Sequence, residues 1–485
     1  MNRLRLSLFI LLFTVPILAA DQFASVRDSI RVQLVQRQVP SVAVAVAKGD
    51  KIIWEEGFGW ANREKRIPAS EHITYSLASI SKPISATALM TLVKAGKIDL
   101  DKPINDYLGS AKLRARVGDV REATVRTVAN HSSGLPLHYQ FFYEDEPSRP
   151  PSPDETILRF GNLLTIPGEH YQYSNLGFGI LGYVISRVSG KTYSDFMREE
   201  VFLKLGMTRS SVYISPALTE FQAVRYGTDG LPIPPYEFDH AGASAVYASA
   251  HDLVRFGMFH LKTHLAEQAT ILPDSLIDEM QKPTMKTGPE DHYGIGWSIS
   301  DRSGYHVVSH TGGMPGVATV LRIVPAEKLA VVVLCNASDS LPHRIADEIM
   351  ADMLPNWKAP PNGPRSPRGE LVPPRELVGV WKGKVSTYEA EIPLAVRVQE
   401  SGDIHVELGD QLKTVLNNAQ YEDGFLTGRI AGNIGIKDVS RRPCTLTLNL
   451  KLRNGTTLNG AVTAMAEQST RVGYALTQWV NLAKQ

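Results

Sequence analysis

Three short polar motifs in this sequence combine residue types that serve nucleophilic catalysis. In chain order they are Ser79-Ile80-Ser81-Lys82, Tyr173-Ser174-Asn175 and His310-Thr311-Gly312-Gly313. A serine hydroxyl is a weak nucleophile until a base takes its proton, and lysine becomes such a base only when its pKa falls from about 10.4. Residues three apart share one face of a helix, so Lys82 is expected beside Ser79. The motifs together predict an acyl-transfer site.

The second motif supplies a phenol and an amide. Tyr173 and Asn175 are two apart, so in an extended segment both side chains point the same way. Tyr173 can shuttle a proton between the serine and a leaving group. Asn175 can either hydrogen-bond a substrate carbonyl or hold Lys82 in place, and the spacing leaves both roles open.

The third motif follows the apolar pair Val307-Val308, which is typical of a strand end. Its glycines let the backbone approach a ligand closely. Free N–H groups at a strand edge suit an oxyanion hole, and we predict that Ser79 and Gly313 donate them. We expect Gly312 to line the substrate site.

The elements that must position these residues are mixed α and β. Residues 42–46 and 51–54 predict an opening hairpin, residues 85–94 a buried helix with Ser79 at its start, and residues 329–334 a central strand. Ser249 and Asp252 form a predicted capping box ahead of another helix. An aromatic run at residues 139–143 suits either a lid over an acyl group or a mobile surface loop.

The order of these motifs resembles that of the serine β-lactamase and penicillin-binding superfamily. Further segments look like its class C β-lactamase-like branch, which also holds esterases, D-aminopeptidases and DD-carboxypeptidases: Asn130-His131-Ser132-Ser133-Gly134-Leu135-Pro136, Pro167-Gly168 and Tyr293-Gly294-Ile295-Gly296-Trp297. The resemblance covers about residues 25–355. It implies an α+β fold in which an antiparallel sheet flanked by helices meets an all-helical lobe, with the site between them.

The resemblance also implies roles for single residues. Ser79 would be the acylated nucleophile, Lys82 and Tyr173 would share the acid and base work in an order left open, and Asn175 and His310 would line the cleft. Penicillin-recognising members usually carry lysine where this chain has His310, and a histidine with a pKa of about 6.5 is mostly neutral at pH 7.

That departure favours a serine hydrolase of the esterase, amidase or D-amino-acid peptidase type. A penicillin-binding DD-carboxypeptidase or β-lactamase is the first alternative. A non-catalytic binding or scaffolding protein that keeps the fold is the alternative from a different class. The expected substrate is a small molecule or a short peptide.

The ends of the chain predict further segments. Residues 1–20 have the layout of a secretory signal peptide, with Arg3 and Arg5, an apolar run and Ala19-Ala20, which predicts export to a periplasm or outside the cell. The apolar run is shorter than the roughly 20 residues of a membrane span, so no stable span is expected after cleavage. We expect a hydrolase domain at residues 21–355, a proline-rich linker at 356–375 and a further domain at 376–485.

The last of these segments has a strong period of two, as in Leu446, Leu448 and Leu450 ahead of Asn454-Gly455. This pattern, and a similar one on both sides of Ser401-Gly402, predicts antiparallel hairpins. The opening of the segment at Gly379 loosely resembles the lipocalin-like barrels that follow some of these hydrolases. We therefore predict a small antiparallel β domain.

The composition excludes several classes of partner. A formal net charge of +1, from 51 basic and 50 acidic residues, gives no charge footprint for nucleic acid or an anionic membrane. Cys335 and Cys444 are too few for a disulfide framework. His260 and His264 have a spacing that can bind metal, but no third ligand is evident, and we expect neither metal nor cofactor. The sequence leaves the oligomeric state open.

Overall fold

The computed structural model of the protein describes residues 22–359, 371–467 and 470–485. The predicted signal peptide at residues 1–20 lies outside these residues, as does most of the predicted proline-rich linker.

Ten α-helices occur in the described residues: Ala24–Gln36 (α1), Ser81–Lys94 (α2), Val125–Ala129 (α3), Pro153–Phe160 (α4), Asn175–Ser189 (α5), Tyr193–Met197 (α6), Ala241–Ser244 (α7), Ala250–His260 (α8), Asp274–Met280 (α9) and Leu341–Met353 (α10). None of them combines the length and the apolar composition that a membrane crossing requires.

The strands of the first 359 residues are Ser41–Lys48 (β1), Lys51–Asn62 (β2), Ile67–Pro68 (β3), Thr74–Ser76 (β4), Arg114–Ala115 (β5), Tyr139–Tyr143 (β6), Asn162–Leu163 (β7), Ser210–Val212 (β8), Tyr236–Phe238 (β9), Val246–Ser249 (β10), Met285–Lys286 (β11), Asp291–Tyr293 (β12), Ser298–Arg302 (β13), Tyr305–Met314 (β14), Val317–Val324 (β15) and Leu329–Cys335 (β16).

The strands after the linker are Gly379–Ser386 (β17), Glu391–Val398 (β18), Ile404–Leu408 (β19), Thr414–Val415 (β20), Asn417–Glu422 (β21), Phe425–Ile430 (β22), Cys444–Arg453 (β23), Thr457–Ala466 (β24) and Tyr474–Lys484 (β25).

The first large sheet is antiparallel and has the strand order β11-β12-β13-β14-β15-β16-β1-β2-β3. Alternate residues of β1 face opposite sides: Val42 packs towards α1 and α10, whereas Ala43 packs towards α2 and α8. Small alanines on the second side let α8 approach closely, since a Cβ on Gly257 would lie 3.1 Å from Ala330. The predicted opening hairpin and the predicted central strand are confirmed.

The predicted buried helix is confirmed as α2, which begins at Ser81, four residues earlier than the apolar pattern indicated. Helices α2, α5 and α7 pack against one another, and β4, β10 and β8 form a small sheet beside them. The capping box is only half correct. Ser249 caps α8 by accepting the Asp252 N–H, but the Asp252 carboxylate accepts from Arg209 N and Ser210 Oγ instead of reaching back.

The C-terminal strands form a nearly closed, barrel-like antiparallel sheet in the order β20-β19-β18-β17-β25-β24-β23-β22-β21. Leu446, Leu448 and Leu450 all point into its core. Both predicted hairpins are present, as β18–β19 and β23–β24. The predicted α+β class, with an antiparallel β unit at the C-terminal end, is confirmed.

Strand β6 joins this sheet to the rest of the molecule. It pairs with β25 through Gln140↔Tyr474 and with β9 through Phe142↔Glu237. Phe141, Phe142 and Tyr143 are buried. The aromatic run is therefore a packed strand, and the interpretation of this segment as a mobile surface loop is wrong.

Candidate active site

Ser79 lies in a tight 3₁₀ turn, Ala78–Ile80, between β4 and α2. Ala78 has a φ of 49°, a left-handed conformation that costs a residue with a Cβ about 1–2 kcal/mol. The turn is held from both sides: Leu77 N–H donates to Val246 O, and Thr319 Oγ1 donates to Leu77 O at 2.9 Å. The surrounding contacts thus stabilise a strained turn that leaves Ser79 partly exposed beside buried neighbours.

Lys82 is fully buried one helical turn after Ser79. Its Nζ lies 3.1 Å from Ser79 Oγ, 2.8 Å from Asn175 Oδ1 and 3.2 Å from the carbonyl oxygen of Ala243. In the described part of the chain no carboxylate pairs with this amine. Burial lowers the pKa of Lys82 well below its usual value, because no counter-charge offsets the lost hydration. The amine is placed to accept the Ser79 proton.

Tyr173 is half-buried beside Ser79, and the two side chains share a hydrogen bond. Burial raises the pKa of the Tyr173 phenol, and the bond to Ser79 opposes part of that rise. Lys82 Nζ lies 4.6 Å from the centre of the phenol ring. The phenol therefore stays protonated, and it can donate a proton where Lys82 can accept one.

Asn175 is the first residue of α5, so the segment is not extended there as the spacing suggested. Ser174 is the N-cap: its Oγ accepts the Gly177 N–H at 3.0 Å and donates to Pro136 O. The sequence left open whether Asn175 binds a substrate carbonyl or holds Lys82, and the structure contains the contact with Lys82. The helix start thereby fixes the amide against the buried amine.

His310 is buried on β14 and neutral. Its Nδ1 donates to Thr311 O at 2.8 Å, so its Nε2 accepts from the Tyr293 hydroxyl at 2.9 Å. Burial lowers the pKa of His310 to about 3. The ring can shape the site and accept hydrogen bonds, but it carries no positive charge at neutral pH.

The edge of β14 beside Ser79 has no neighbouring strand. Pairing with β13 ends at Ser309↔Ser298, whereas pairing with β15 continues to Met314↔Val317, so within the described residues the other edge is open from His310 onward. A Cβ on Gly312 would lie 2.1 Å from Leu77 O, but a Cβ on Gly313 would meet nothing within 4 Å. Gly312 thus packs on the Ser79 turn, while Gly313 faces open space.

A cavity of about 450 Å³ adjoins this edge. Gly312 and Gly313 line one part of it, and Thr470 and Val472, from the segment between β24 and β25, line another. The C-terminal sheet therefore contributes surface next to the open strand edge.

His131 is a site residue that sequence reasoning did not single out. Its Nδ1 accepts the Ser174 N–H at 3.1 Å, and its ring centre lies 4.5 Å from that of Tyr173 and 4.8 Å from that of Tyr293. Its buried Nε2 has no hydrogen-bond partner among the described residues. The segment around His131 and the one around Tyr293 both belong to the family resemblance, which was the available signal.

The two histidines with metal-compatible spacing have separate surroundings. His260 is buried and its Nε2 lies 2.9 Å from Thr87 Oγ1, whereas His264 is exposed and lies 3.2 Å from an Asp274 carboxylate oxygen. They do not form a common site.

Comparison with known proteins agrees with this geometry. The Beta-lactamase family model matches residues 26–352. The chain belongs to the beta-lactamase family. It is a serine hydrolase of that superfamily, whose members act through an acyl-enzyme.

Individual relatives are distant. A Bacillus subtilis penicillin-binding protein is 27% identical over 307 residues, which is 57% of this chain and 64%, less than two thirds, of that protein. A structure of SurE with D-Leu has a TM-score of 0.63 and 19% identity, covering 96% of this chain and 99% of its own. A class C beta-lactamase has a TM-score of 0.59 and 21% identity, covering 70% of this chain and 97% of its own. These two structures share the fold.

Proposed function

We propose that this protein is an exported serine hydrolase that cleaves a small ester or amide through an acyl-enzyme on Ser79. The observation that carries the proposal is the 3.1 Å contact between the Ser79 hydroxyl and a buried lysine amine that has no carboxylate partner in the described residues. A binding or scaffolding protein has no use for a desolvated lysine beside a serine, since the burial of the amine destabilises the fold.

In the proposed reaction neutral Lys82 removes the proton from Ser79 Oγ as the oxygen attacks the substrate carbonyl carbon. The N–H groups of Ser79 and Gly313 donate to the oxyanion that forms. Tyr173 then gives its proton to the leaving group and takes the proton held by Lys82, so the leaving group departs and the acyl group stays on Ser79. In deacylation a water molecule gives a proton to Lys82 as its oxygen attacks the acyl carbon, and that proton passes to Ser79 Oγ as the acid leaves.

The opposite pKa shifts of the two candidate bases support this division of work. Burial lowers the pKa of Lys82 and raises that of Tyr173, so of the two groups the amine is the one that loses its proton more readily. Asn175 is assigned to holding Lys82, and His310 and Gly312 to lining the substrate site.

The substrate class is inferred from His310. Because this ring is neutral, it does not supply the positive charge that a lysine there would offer to a substrate carboxylate. We therefore favour esters, amides and D-amino-acid peptides over β-lactams. The structural similarity to a protein solved with D-Leu supports the inclusion of D-amino-acid substrates. Export is inferred from residues 1–20 alone.

The first experiment compares hydrolysis of p-nitrophenyl butyrate by the mature wild type, Ser79→Ala and a control, Ser76→Ala. Ser76 is buried three residues earlier, and its hydroxyl has no hydrogen-bond partner among the described residues, so its loss leaves the fold intact. We expect Ser79→Ala to lose the activity and Ser76→Ala to keep it. A folded Ser79→Ala variant with wild-type turnover would overturn the assignment of the nucleophile.

The same proteins distinguish the alternatives. A stable adduct with benzylpenicillin on Ser79, together with release of D-alanine from D-Ala-D-Ala peptides, would favour the penicillin-binding DD-carboxypeptidase. Absence of turnover and of any adduct, across esters, amides and penicillins, would favour the non-catalytic binding protein.

A further inference from the structure

Two carboxylates and two imidazoles converge on the surface where β2, the loop ahead of β4 and the first turn of α8 meet. They are Glu55, Glu71, His72 and His251. Glu55 Oε2 lies 2.8 Å from His251 Nδ1, and Glu71 Oε1 lies 3.5 Å from His72 Nε2. One ligand atom from each of Glu55, Glu71 and His72 lies within 4.8 Å of the other two. The ring centres of the two histidines are 5.0 Å apart.

The backbone holds these side chains in place. The His251 N–H donates to Glu71 O at 3.1 Å, which ties the start of α8 to the loop. Thr74 lies two positions after His72, Ser249 lies two positions before His251, and these two residues pair in the small sheet. The four side chains are partly exposed, so they are free to adjust over short distances without disturbing the core.

We propose that Glu55, Glu71, His72 and His251 form a binding site for one zinc ion. Imidazole nitrogens and carboxylate oxygens are ligands that Zn²⁺ takes in tetrahedral geometry, with bonds of about 2.0–2.2 Å. Such bonds place neighbouring donor atoms about 3.3–3.5 Å apart. The 3.5 Å between Glu71 Oε1 and His72 Nε2 has that spacing, and the 2.8 Å hydrogen bond between Glu55 Oε2 and His251 Nδ1 would lengthen once both atoms bound the ion. The two carboxylates balance the charge of the ion. Mg²⁺ and Ca²⁺ prefer sites made of oxygen alone.

The position of the site indicates a structural role. Strand β4 runs from the loop that carries Glu71 and His72 to the turn that carries Ser79. A bound ion would tie this loop to β2 and α8 at the end of β4 away from the nucleophile. None of the four ligands belongs to the proposed catalytic group, so the zinc site goes beyond the proposed function and is tested without measuring turnover.

The expectation that the chain binds no metal rested on short spacings such as that of His260 and His264. The proposed ligands lie up to 196 positions apart in the chain and are adjacent only in the folded structure. Among the described residues, Glu55, Glu71 and His72 are the one group of three or more suitable ligand atoms that lie together, and His251 adjoins this group through Glu55.

The test is titration of the untagged, chelator-treated full chain with Zn²⁺ in a calorimeter. The variants are His72→Gln and His251→Gln, and the control is His264→Gln. His264 is a matched control because it is exposed and paired with one carboxylate, Asp274, but has no third ligand beside it. A parallel titration uses Mg²⁺, and thermal unfolding is followed with and without Zn²⁺.

We expect one Zn²⁺ per chain at micromolar affinity or tighter in the wild type and in His264→Gln. Each ligand variant is expected to bind Zn²⁺ at least about tenfold more weakly than the wild type. Even the loss of a hydrogen-bond partner outside the ligand shell typically weakens metal binding by about that factor. Zn²⁺ should raise the unfolding midpoint only in the proteins that bind it, by mass action. Circular dichroism identifies any variant that fails to fold, and Glu55→Gln then replaces it.

Three results would overturn the proposal. They are absence of a stoichiometric zinc site in the wild type, equal affinities in His72→Gln and His264→Gln, and binding of Mg²⁺ as tight as that of Zn²⁺. The last would indicate charge attraction to the carboxylates without imidazole ligands.

Discussion

At the scale of single residues, the proposed reaction depends on the Lys82 amine, whose pKa is lowered by burial. Lys82→Met retains the length of the side chain but removes the base, and we expect kcat/KM to fall by about 10²–10⁴-fold. In the wild type kcat/KM should rise with pH as Lys82 loses its proton and reach a plateau below the usual lysine pKa, because burial lowers that pKa. Lys94→Met, at the other end of α2, is the control. A wild-type profile still rising at pH 10 would contradict the assignment.

The same group links stability to pH. The folded-state pKa of Lys82 lies below its unfolded value of about 10.4, so at neutral pH the unfolded chain binds more protons. The free energy of unfolding of the wild type, relative to Lys82→Met, should therefore rise with pH between the two pKa values and level off above the unfolded one. Urea unfolding of both proteins from pH 6 to pH 9 measures the difference, and a parallel pH dependence in the two would refute it.

His131 is expected to support the site through a hydrogen bond. His131→Leu removes the acceptor of the buried Ser174 N–H, which should reduce the free energy of unfolding by about 1–3 kcal/mol. His131 has a φ of 62°, a conformation that asparagine tolerates, and an asparagine Oδ1 can accept in place of Nδ1. His131→Asn should recover most of the loss in urea unfolding. Equal losses in both variants would show that the hydrogen bond is not the cause.

Local spacing explains why some site residues were predictable and others were not. Ser79 and Lys82 are three apart on one helical face, so their contact follows from helix geometry. The partners of His131 and His310 come from other segments: Ser174 is 43 positions away from the first, and Tyr293 is 17 away from the second. No periodic pattern in the sequence records such contacts.

At the scale of elements, β14 must lie close to the Ser79 turn, and Gly312 sets that distance. A Cβ there would clash with Leu77 O and with Thr319 Oγ1, at 2.1 and 2.3 Å, so Gly312→Ala should push the strand away from the turn. A displacement of 1 Å is enough to lower kcat by about 10²-fold. Gly313→Ala is the matched control for folding, because its Cβ meets nothing within 4 Å. Steady-state kinetics and unfolding midpoints of both variants test this; unchanged kcat in a folded Gly312→Ala would contradict it.

The period of two and favoured turn residues predicted the hairpins β1–β2, β18–β19 and β23–β24, whose partners are neighbours in sequence. Strand β6 was not predicted, although its residues are aromatic, because its partners Tyr236–Phe238 and Tyr474–Lys484 lie far along the chain. Likewise the Asp252 carboxylate accepts from Arg209 N and Ser210 Oγ and does not complete a capping box on its own helix. Tertiary contacts decided both outcomes.

At the scale of the whole molecule, the C-terminal sheet is attached to the rest of the chain by more than the linker. Strand β25 pairs with β6, and ion pairs connect Arg442 with Glu146 and Lys451 with Glu169. The segment after β24 also lines the cavity beside Gly313. These contacts cross from one sheet to the other, so we expect the two parts to unfold together.

Arg441 offers the sharpest test of this coupling. Its guanidinium donates to Phe141 O at 3.2 Å and to the Oε1 of the fully buried Gln140 at 2.7 Å. Arg441→Leu leaves both acceptors unpaired, so we expect the free energy of unfolding to fall by about 1–3 kcal/mol per buried acceptor. Lys437→Leu, an exposed position in the same short turn, is the control. In urea, fluorescence and far-ultraviolet circular dichroism should report one shared transition, shifted to lower urea in Arg441→Leu. A shift no larger than that of the control, or two separate transitions in the wild type, would show that the sheets are energetically independent.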